Sequence, residues 1–211
     1  MSSIEIIIFG LAAYALGSFP TAVLVGKAFY GVDVREHGSN NAGATNTFRV
    51  LGKKPGIAVL IIDIIKGATA ANLALFVNGV DEHLISLKVF FGVLAVTGHI
   101  YPIFAGFKGG KGIATLLGLV IAIDPMISLG CVGVFLVVLI VSNMVSAGSI
   151  LATFAFNLFS YFQYGTDERV LQFFGIFALI LVLYTHRANI GRIMRGEEKK
   201  IYLFKNTKGN T

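Results

Sequence analysis

The chain has 211 residues, 55% of them hydrophobic and 13% charged, with a mean hydropathy of +0.80. So much apolar surface excludes a soluble globular domain and predicts an all-α, polytopic membrane protein. The net charge of +6 then reads as topology-setting Lys and Arg rather than a nucleic-acid surface, and the lone Cys131 excludes a disulfide framework.

The first predicted span is 4–26. Glu5 and the lack of any Lys or Arg ahead of its apolar run argue against a cleaved signal peptide, so it reads as a retained span. The loop after it, 27–54, carries Lys27, Arg35, Arg49, Lys53 and Lys54. Within it, Ser39, Asn41, Thr45 and Asn46 are spaced by Gly38 and Gly43. Short polar side chains between glycines suit an anion-binding nest in which Arg49 grips a phosphate bidentately. They equally suit a polar turn that caps the next helix.

Spans follow at 55–77 and 84–105. Asp63 and Lys66, three residues apart, pair on one helical face, either locking the bundle or forming the floor of a site. His99, near the end of its span, is a candidate general base or a hydrogen-bonded core histidine. Next comes Lys108-Gly109-Gly110-Lys111-Gly112, which opens another apolar helix. A helix N-terminus with free N–H groups and two lysines favours an anion, and Thr115, one turn in, offers a hydroxyl. The spacing is not that of a Walker A loop, because Gly112 stands where Ser or Thr would be needed.

The run 112–141 is too long for one crossing: at 1.5 Å per residue it would extend about 45 Å. Asp124-Pro125 divides it into spans 112–123 and 126–141. Ser142 and Asn143 make the turn into span 145–162, as ligand contacts or simple turn formers, and span 169–186 completes seven. His186, Arg187, Asn189 and Arg192 follow directly, with His186 and Asn189 three apart on one helical face.

Seven spans with the N-terminus outside put the three basic segments and the C-terminus on the cytoplasmic side. The opposite turns then hold Asp81, Glu82, Asp124, Asp167 and Glu168. Fusing 112–141 into one span would send the basic tail, with Lys199, Lys200, Lys205 and Lys208, to the outer face. That tail, from Arg192 onward, reads as a contact for anionic headgroups. The three glycine-rich basic segments are therefore expected to close into one phosphate-handling pocket at the membrane surface. The chain is expected to be a single domain, 1–211. No metal-ligand spacing occurs among His37, His83, His99 and His186, and neither a Gly-x-Ser-x-Gly elbow nor a His-x4-Asp pair is present.

Five blocks together resemble one family: GSFPTA at 17–22, GSNNAGATNTFR at 38–49, DIIKG at 63–67, GHIYPIFAGFKGGKGIAT at 98–115 and HRANIGRIMRGEE at 186–198. The family is that of the bacterial acyl-phosphate-dependent glycerol-3-phosphate acyltransferases (PlsY). Asn40, where glycine is common, and Tyr101, where phenylalanine is frequent, depart from its pattern. The resemblance implies transfer of an acyl group from acyl phosphate to the sn-1 hydroxyl of glycerol 3-phosphate, giving lysophosphatidate and inorganic phosphate. It implies no cofactor, and a site on the cytoplasmic face of the bacterial inner membrane, beside the bilayer. The soluble enzyme that makes acyl phosphate is a candidate partner. For that reaction His186, Asn189, Lys108, Arg49 and Ser39 are the expected catalytic residues. Asn41, Thr45, Asn46, Gly109, Gly110, Lys111, Gly112, Thr115, Ser142 and His99 are expected to bind substrate. A transporter of phosphorylated metabolites would also use helix ends and basic groups. The absence of a visible internal repeat and the one-sided chemistry weigh against it.

Overall fold

A computed structural model of the chain describes residues 2–201; Lys205 and Lys208 of the tail lie outside the described residues. Ten α-helices and no strand occur among these residues. The helix expected over 4–26 is broken into α1 (Ser3–Gly17) and α2 (Thr21–Tyr30), bent by 41°. Pro20 has no N–H to give and disfavours helical geometry at Phe19, so the ladder stops there. Helix α3 (Ala44–Leu51) lies within the first polar loop, and α4 (Lys53–Asn72) and α5 (Leu84–Ile100) follow. Helix α5 ends before Pro102 rather than at 105, and residues 101–112 fold back over its end.

Helices α6 (Ile113–Ile123) and α7 (Pro125–Ser142) divide at Asp124. Its carboxylate caps α7, accepting from the N–H groups of Met126 at 2.7 Å and Ile127 at 3.1 Å. Pro125 occupies the first helical position, where a missing N–H costs nothing. Then come α8 (Val145–Tyr164), α9 (Arg169–Thr185) and α10 (Arg187–Met194), the last bent 65° from α9. Among the described residues four helices are long and apolar enough to cross a bilayer, or six spans if each bent pair counts as one. Helix α6 has only 11 residues, about 16 Å at 1.5 Å per residue.

Helices in lipid lack a hydrophobic drive toward one another and rely on close van der Waals fit. Glycine supplies it here. A Cβ on Gly67 would strike the Thr115 carbonyl oxygen, and one on Gly118 the Ile64 carbonyl oxygen, so α4 and α6 touch backbone to backbone. Gly17 against Ala95 and Gly98 against Tyr14 join α1 to α5 in the same way. One apolar core links α5 to α9 around Leu119, Phe156, Leu171 and Phe174. A second links α1, α4 and α5 around Ala13, Ala70 and Phe91. Between α4 and α6 on one side and α7, α8 and α9 on the other, the bundle leaves a cavity of about 930 Å³.

Candidate active site

The three basic segments meet at one end of the bundle. In the first loop, Asp33 accepts from the Arg35 backbone N–H and Nε, both at 3.0 Å, and pairs with Lys27 at 3.2 Å. The Arg35 guanidinium beside it holds this carboxyl well below the usual carboxylate range. Arg35 also donates to the Ala105 carbonyl at 2.9 Å, tying the first loop to the second. The Ala42 N–H and the Asn41 amide both reach the Gly109 carbonyl, at 3.4 and 3.5 Å.

Asn46 is buried and wholly engaged in shaping its own loop. Its Oδ1 accepts from the Ser39 N–H at 2.7 Å and the Ser39 hydroxyl at 3.0 Å, and its Nδ2 donates to the Val34 and His37 carbonyls at 2.7 and 3.0 Å. An Asn amide offers two donors and one oxygen, so none is left for a ligand. It orients Ser39 instead.

In the second loop the glycines serve packing more than anion binding. The Gly109 N–H donates to the Ile100 carbonyl and the Gly110 N–H to the His99 carbonyl, both at 3.1 Å. A Cβ on either would run into His99 or Ile100. Only the N–H groups of Lys111, Gly112 and the first turn of α6 remain for a phosphate. Gly112 stands at φ +83°, a conformation that favours glycine. Lys111 points inward and donates to Asn189 Oδ1, whereas Lys108 lies exposed on the rim and its side chain makes no hydrogen bond among the described residues. Thr115 is fully enclosed against α4, and Ser142 closes its own turn by donating to Val138 and accepting from the Met144 N–H. Neither side chain hydrogen-bonds to Lys111, Asn189 or Glu198 among the described residues.

His186 sits at the bend between α9 and α10, 3% exposed. Its Nδ1 lies 2.9 Å from the Val182 carbonyl, which can only accept, so in the neutral ring Nδ1 carries the proton and Nε2 is the acceptor. Asn189 is linked on both sides: its Oδ1 takes Lys111 and its Nδ2 donates to Glu198. Glu198 also accepts from Ser146 at 2.8 Å and pairs with Arg192 at 2.8 Å. The tail continues as a strap, with Lys199 donating to the Gly38 carbonyl at 3.0 Å and the Ile201 N–H to Asn143 at 2.8 Å. Sequence reasoning passes over Glu198 and Ser146. The available signal is that Glu197 and Glu198 are the acids of an otherwise basic tail.

Arg49, Lys111 and Arg192 all act on one another and on Glu198: three cations against one carboxylate. Burial pushes Lys111 down to about 8, an effect that Glu198 opposes and Arg192 and Arg49 reinforce. Burial lowers Arg49 in the same way, again opposed by Glu198. The excess positive charge, half removed from water, favours a bound anion. It opens directly onto the apolar cavity, whose mouth carries Thr45, Arg49, Lys53 and Lys200. The wall is made of residues such as Leu60, Leu117, Phe135 and Leu139, and the inner end carries Cys131, Phe156 and Phe174. Among the described residues no group of His, Cys, Asp and Glu could hold a metal ion.

Comparison with known proteins gives a consistent match. The family model described as glycerol-3-phosphate acyltransferase covers residues 7–196. Proteins of that name from Chlorobaculum tepidum (40% identical, covering 90% of this chain and 94% of theirs) and Listeria monocytogenes (42%, covering 94% and 98%) are similar over almost their full length. Two crystal structures of PlsY (YgiH), an integral membrane glycerol 3-phosphate acyltransferase, superpose closely. Its glycerol 3-phosphate form gives a TM-score of 0.84 at 39% identity, covering 93% of this chain and 96% of that one. Its lysophosphatidic acid form gives 0.81 at 38%, covering 93% and 95%.

Proposed function

The chain belongs to the glycerol-3-phosphate acyltransferase family, and from that premise we propose that it takes its acyl group from acyl phosphate and delivers it to the sn-1 hydroxyl of glycerol 3-phosphate. The observation that carries this reading is the three-cation cluster at the mouth of an apolar cavity. Both substrates bring a phosphate and one brings a hydrocarbon chain, and the site offers a place for each. Lys111 and Arg49 hold the phosphate of glycerol 3-phosphate, with Asn189 and Glu198 fixing Lys111, while Ser39, whose N–H and hydroxyl both go to Asn46 Oδ1, shapes the loop beside them. Thr45, Lys53 and Lys200 face the head of the acyl phosphate, whose chain lies in the cavity.

The sn-1 oxygen attacks the acyl carbonyl carbon, the new ester C–O bond forms, and the carbonyl carbon's bond to the phosphate oxygen breaks. Inorganic phosphate leaves with the electron pair, and the hydroxyl proton passes to His186 Nε2. The acyl–phosphate bond is already activated, so positioning and charge stabilisation suffice and no acyl-enzyme is needed. In the membrane, α6 joins the four long helices and the two bent pairs to make seven spans. The N-terminus is outside and the site faces the cytoplasm, as the basic loops favour.

The test supplies solubilised protein with labelled glycerol 3-phosphate and either palmitoyl phosphate or palmitoyl-CoA. Chloroform-extractable label with the phosphate donor only is the expected result. Label with palmitoyl-CoA alone would overturn the donor assignment. Arg49→Ala is expected to raise KM for glycerol 3-phosphate about tenfold or more, the loss of a charged hydrogen-bonding partner being worth about 1.5–3 kcal/mol.

A further inference from the structure

A buried charge pair in the membrane region lies directly beneath the second loop. Asp63 and Lys66 on α4 are 1% and 7% exposed, with Lys66 Nζ 2.8 Å from Asp63 Oδ1. The Thr21 hydroxyl donates to the same oxygen at 2.9 Å, and Lys66 donates to the Phe19 carbonyl at 3.1 Å. The pair thus grips the chain on either side of Pro20, within the break and at the start of α2. His99 on α5, 6% exposed, turns its Nδ1 toward Asp63 Oδ1 at 3.7 Å. Its other ring nitrogen, Nε2, occupies the space where a Cβ of Gly110 would go, and its carbonyl accepts the Gly110 N–H at 3.1 Å. A cavity of about 10 Å³ is lined by Asp63, Gly109 and Gly110, and Asp63 Oδ2 is buried with no hydrogen-bond partner among the described residues.

Ionised groups inside a membrane protein are costly, and close fit between α4 and α5 does not call for them. We propose that His99, packed against Asp63, is a positioning residue for the phosphate-binding loop: the imidazole is the surface on which Gly110 rests, and it sets where Lys111, the next residue, presents its ammonium. Lys111 meets Asn189 from a loop that has no regular secondary structure of its own between Gly106 and Gly112. Its position is therefore inherited from what the loop rests on. Displacement of a substrate-holding group by about 1 Å is enough to cost about a hundredfold in rate or affinity.

The inference rests on the site proposed above, and its test separates the two. KM and kcat are measured with palmitoyl phosphate and glycerol 3-phosphate, and the Kd for glycerol 3-phosphate is measured by calorimetry without any donor. Gly110→Ala is expected to raise both Kd and KM about tenfold or more, because its methyl collides with the ring. His99→Ala alone raises them less and leaves kcat nearly unchanged. Combining the two relieves the collision, so the double variant binds more tightly than Gly110→Ala alone. Asp63→Asn by itself strands Lys66, so Asp63→Asn is paired with Lys66→Met. That pair is expected to weaken binding as His99→Ala does and to add nothing in the His99→Ala background, since both act through the ring. Unchanged Kd in His99→Ala, no recovery in the His99→Ala/Gly110→Ala pair, or additive effects of the Asp63 and His99 changes would each overturn the proposal. Intact glycerol 3-phosphate binding without turnover of acyl phosphate would instead refute the donor assignment and leave this inference standing.

Discussion

Filling the cavity part-way along its length is expected to shorten the acyl chain that the enzyme prefers. Val145 on α8 lines the mouth and Phe156 the inner end, about 16 Å apart at 1.5 Å per residue. An extended chain advances about 1.2 Å per bond, so about fourteen carbons fit before the chain meets Phe156. Ala152 also lines the wall, about 10 Å in, and is only partly buried, which leaves room for a larger side chain to turn into the cavity. Ala152→Phe therefore leaves space for about nine bonds, or ten carbons, and displaces about four methylenes. At about 0.8 kcal/mol per CH₂ the loss is at most about 3 kcal/mol. A tenfold effect needs about 1.4 kcal/mol, so the change is readable even when lipid receives part of the displaced chain. Initial rates are compared across acyl phosphates from octanoyl to stearoyl. The variant is expected to keep its rate on octanoyl phosphate and lose at least about tenfold on palmitoyl phosphate. A folded variant whose chain-length profile matches that of the unsubstituted protein would refute the reasoning, because the cavity would then not be where the chain lies.

Three further outcomes follow from the same geometry. Lys111 titrates near 8 in the free protein, so its cation is complete below that pH and is lost above it. KM for glycerol 3-phosphate is expected to rise as pH climbs through about 8, and Lys111→Arg, whose guanidinium stays charged, should flatten that limb of the KM–pH profile. Gly118→Ala forces α6 off the α4 backbone and is expected to cost about 1–3 kcal/mol, seen as a lower melting temperature in detergent. Gly133→Ala, which meets nothing within 4 Å, is the matched control and should melt no lower. Glu198→Gln removes the carboxylate that faces Arg49, Lys111 and Arg192. The variant is expected to melt lower than the unsubstituted protein and to regain more stability from added inorganic phosphate, which supplies the missing negative charge.

Hydropathy and basic-loop spacing were enough to identify an all-helical membrane protein and to pick out three basic segments that meet at one end of the bundle, because both depend on local composition. Asp124-Pro125 was legible as a break because a proline and a capping carboxylate act on adjacent residues. The break at Ser18–Pro20 was equally local but was masked by the apolar run on either side, so segment 4–26 reads as one helix where the fold has two. Individual roles were less legible. Asn46 and the Gly109 and Gly110 N–H groups have the chemistry of phosphate ligands, yet each is already bonded within the protein.

What a side chain can offer is written in its residue type, so the phosphate-handling character of the chain, its Lys and Arg supply and its glycine-spaced loops were all determined by sequence. Whether that offer is still open depends on partners distant along the chain. Glu198 closing on Asn189 and Ser146, Lys111 rather than Lys108 turning inward, and His99 supporting Gly110 were decided only when α4, α5, α8 and α10 came together. The same is true of the cavity, which no single helix encodes: it is the space left where glycine draws α4 and α6 together and α7 to α9 stand apart from them.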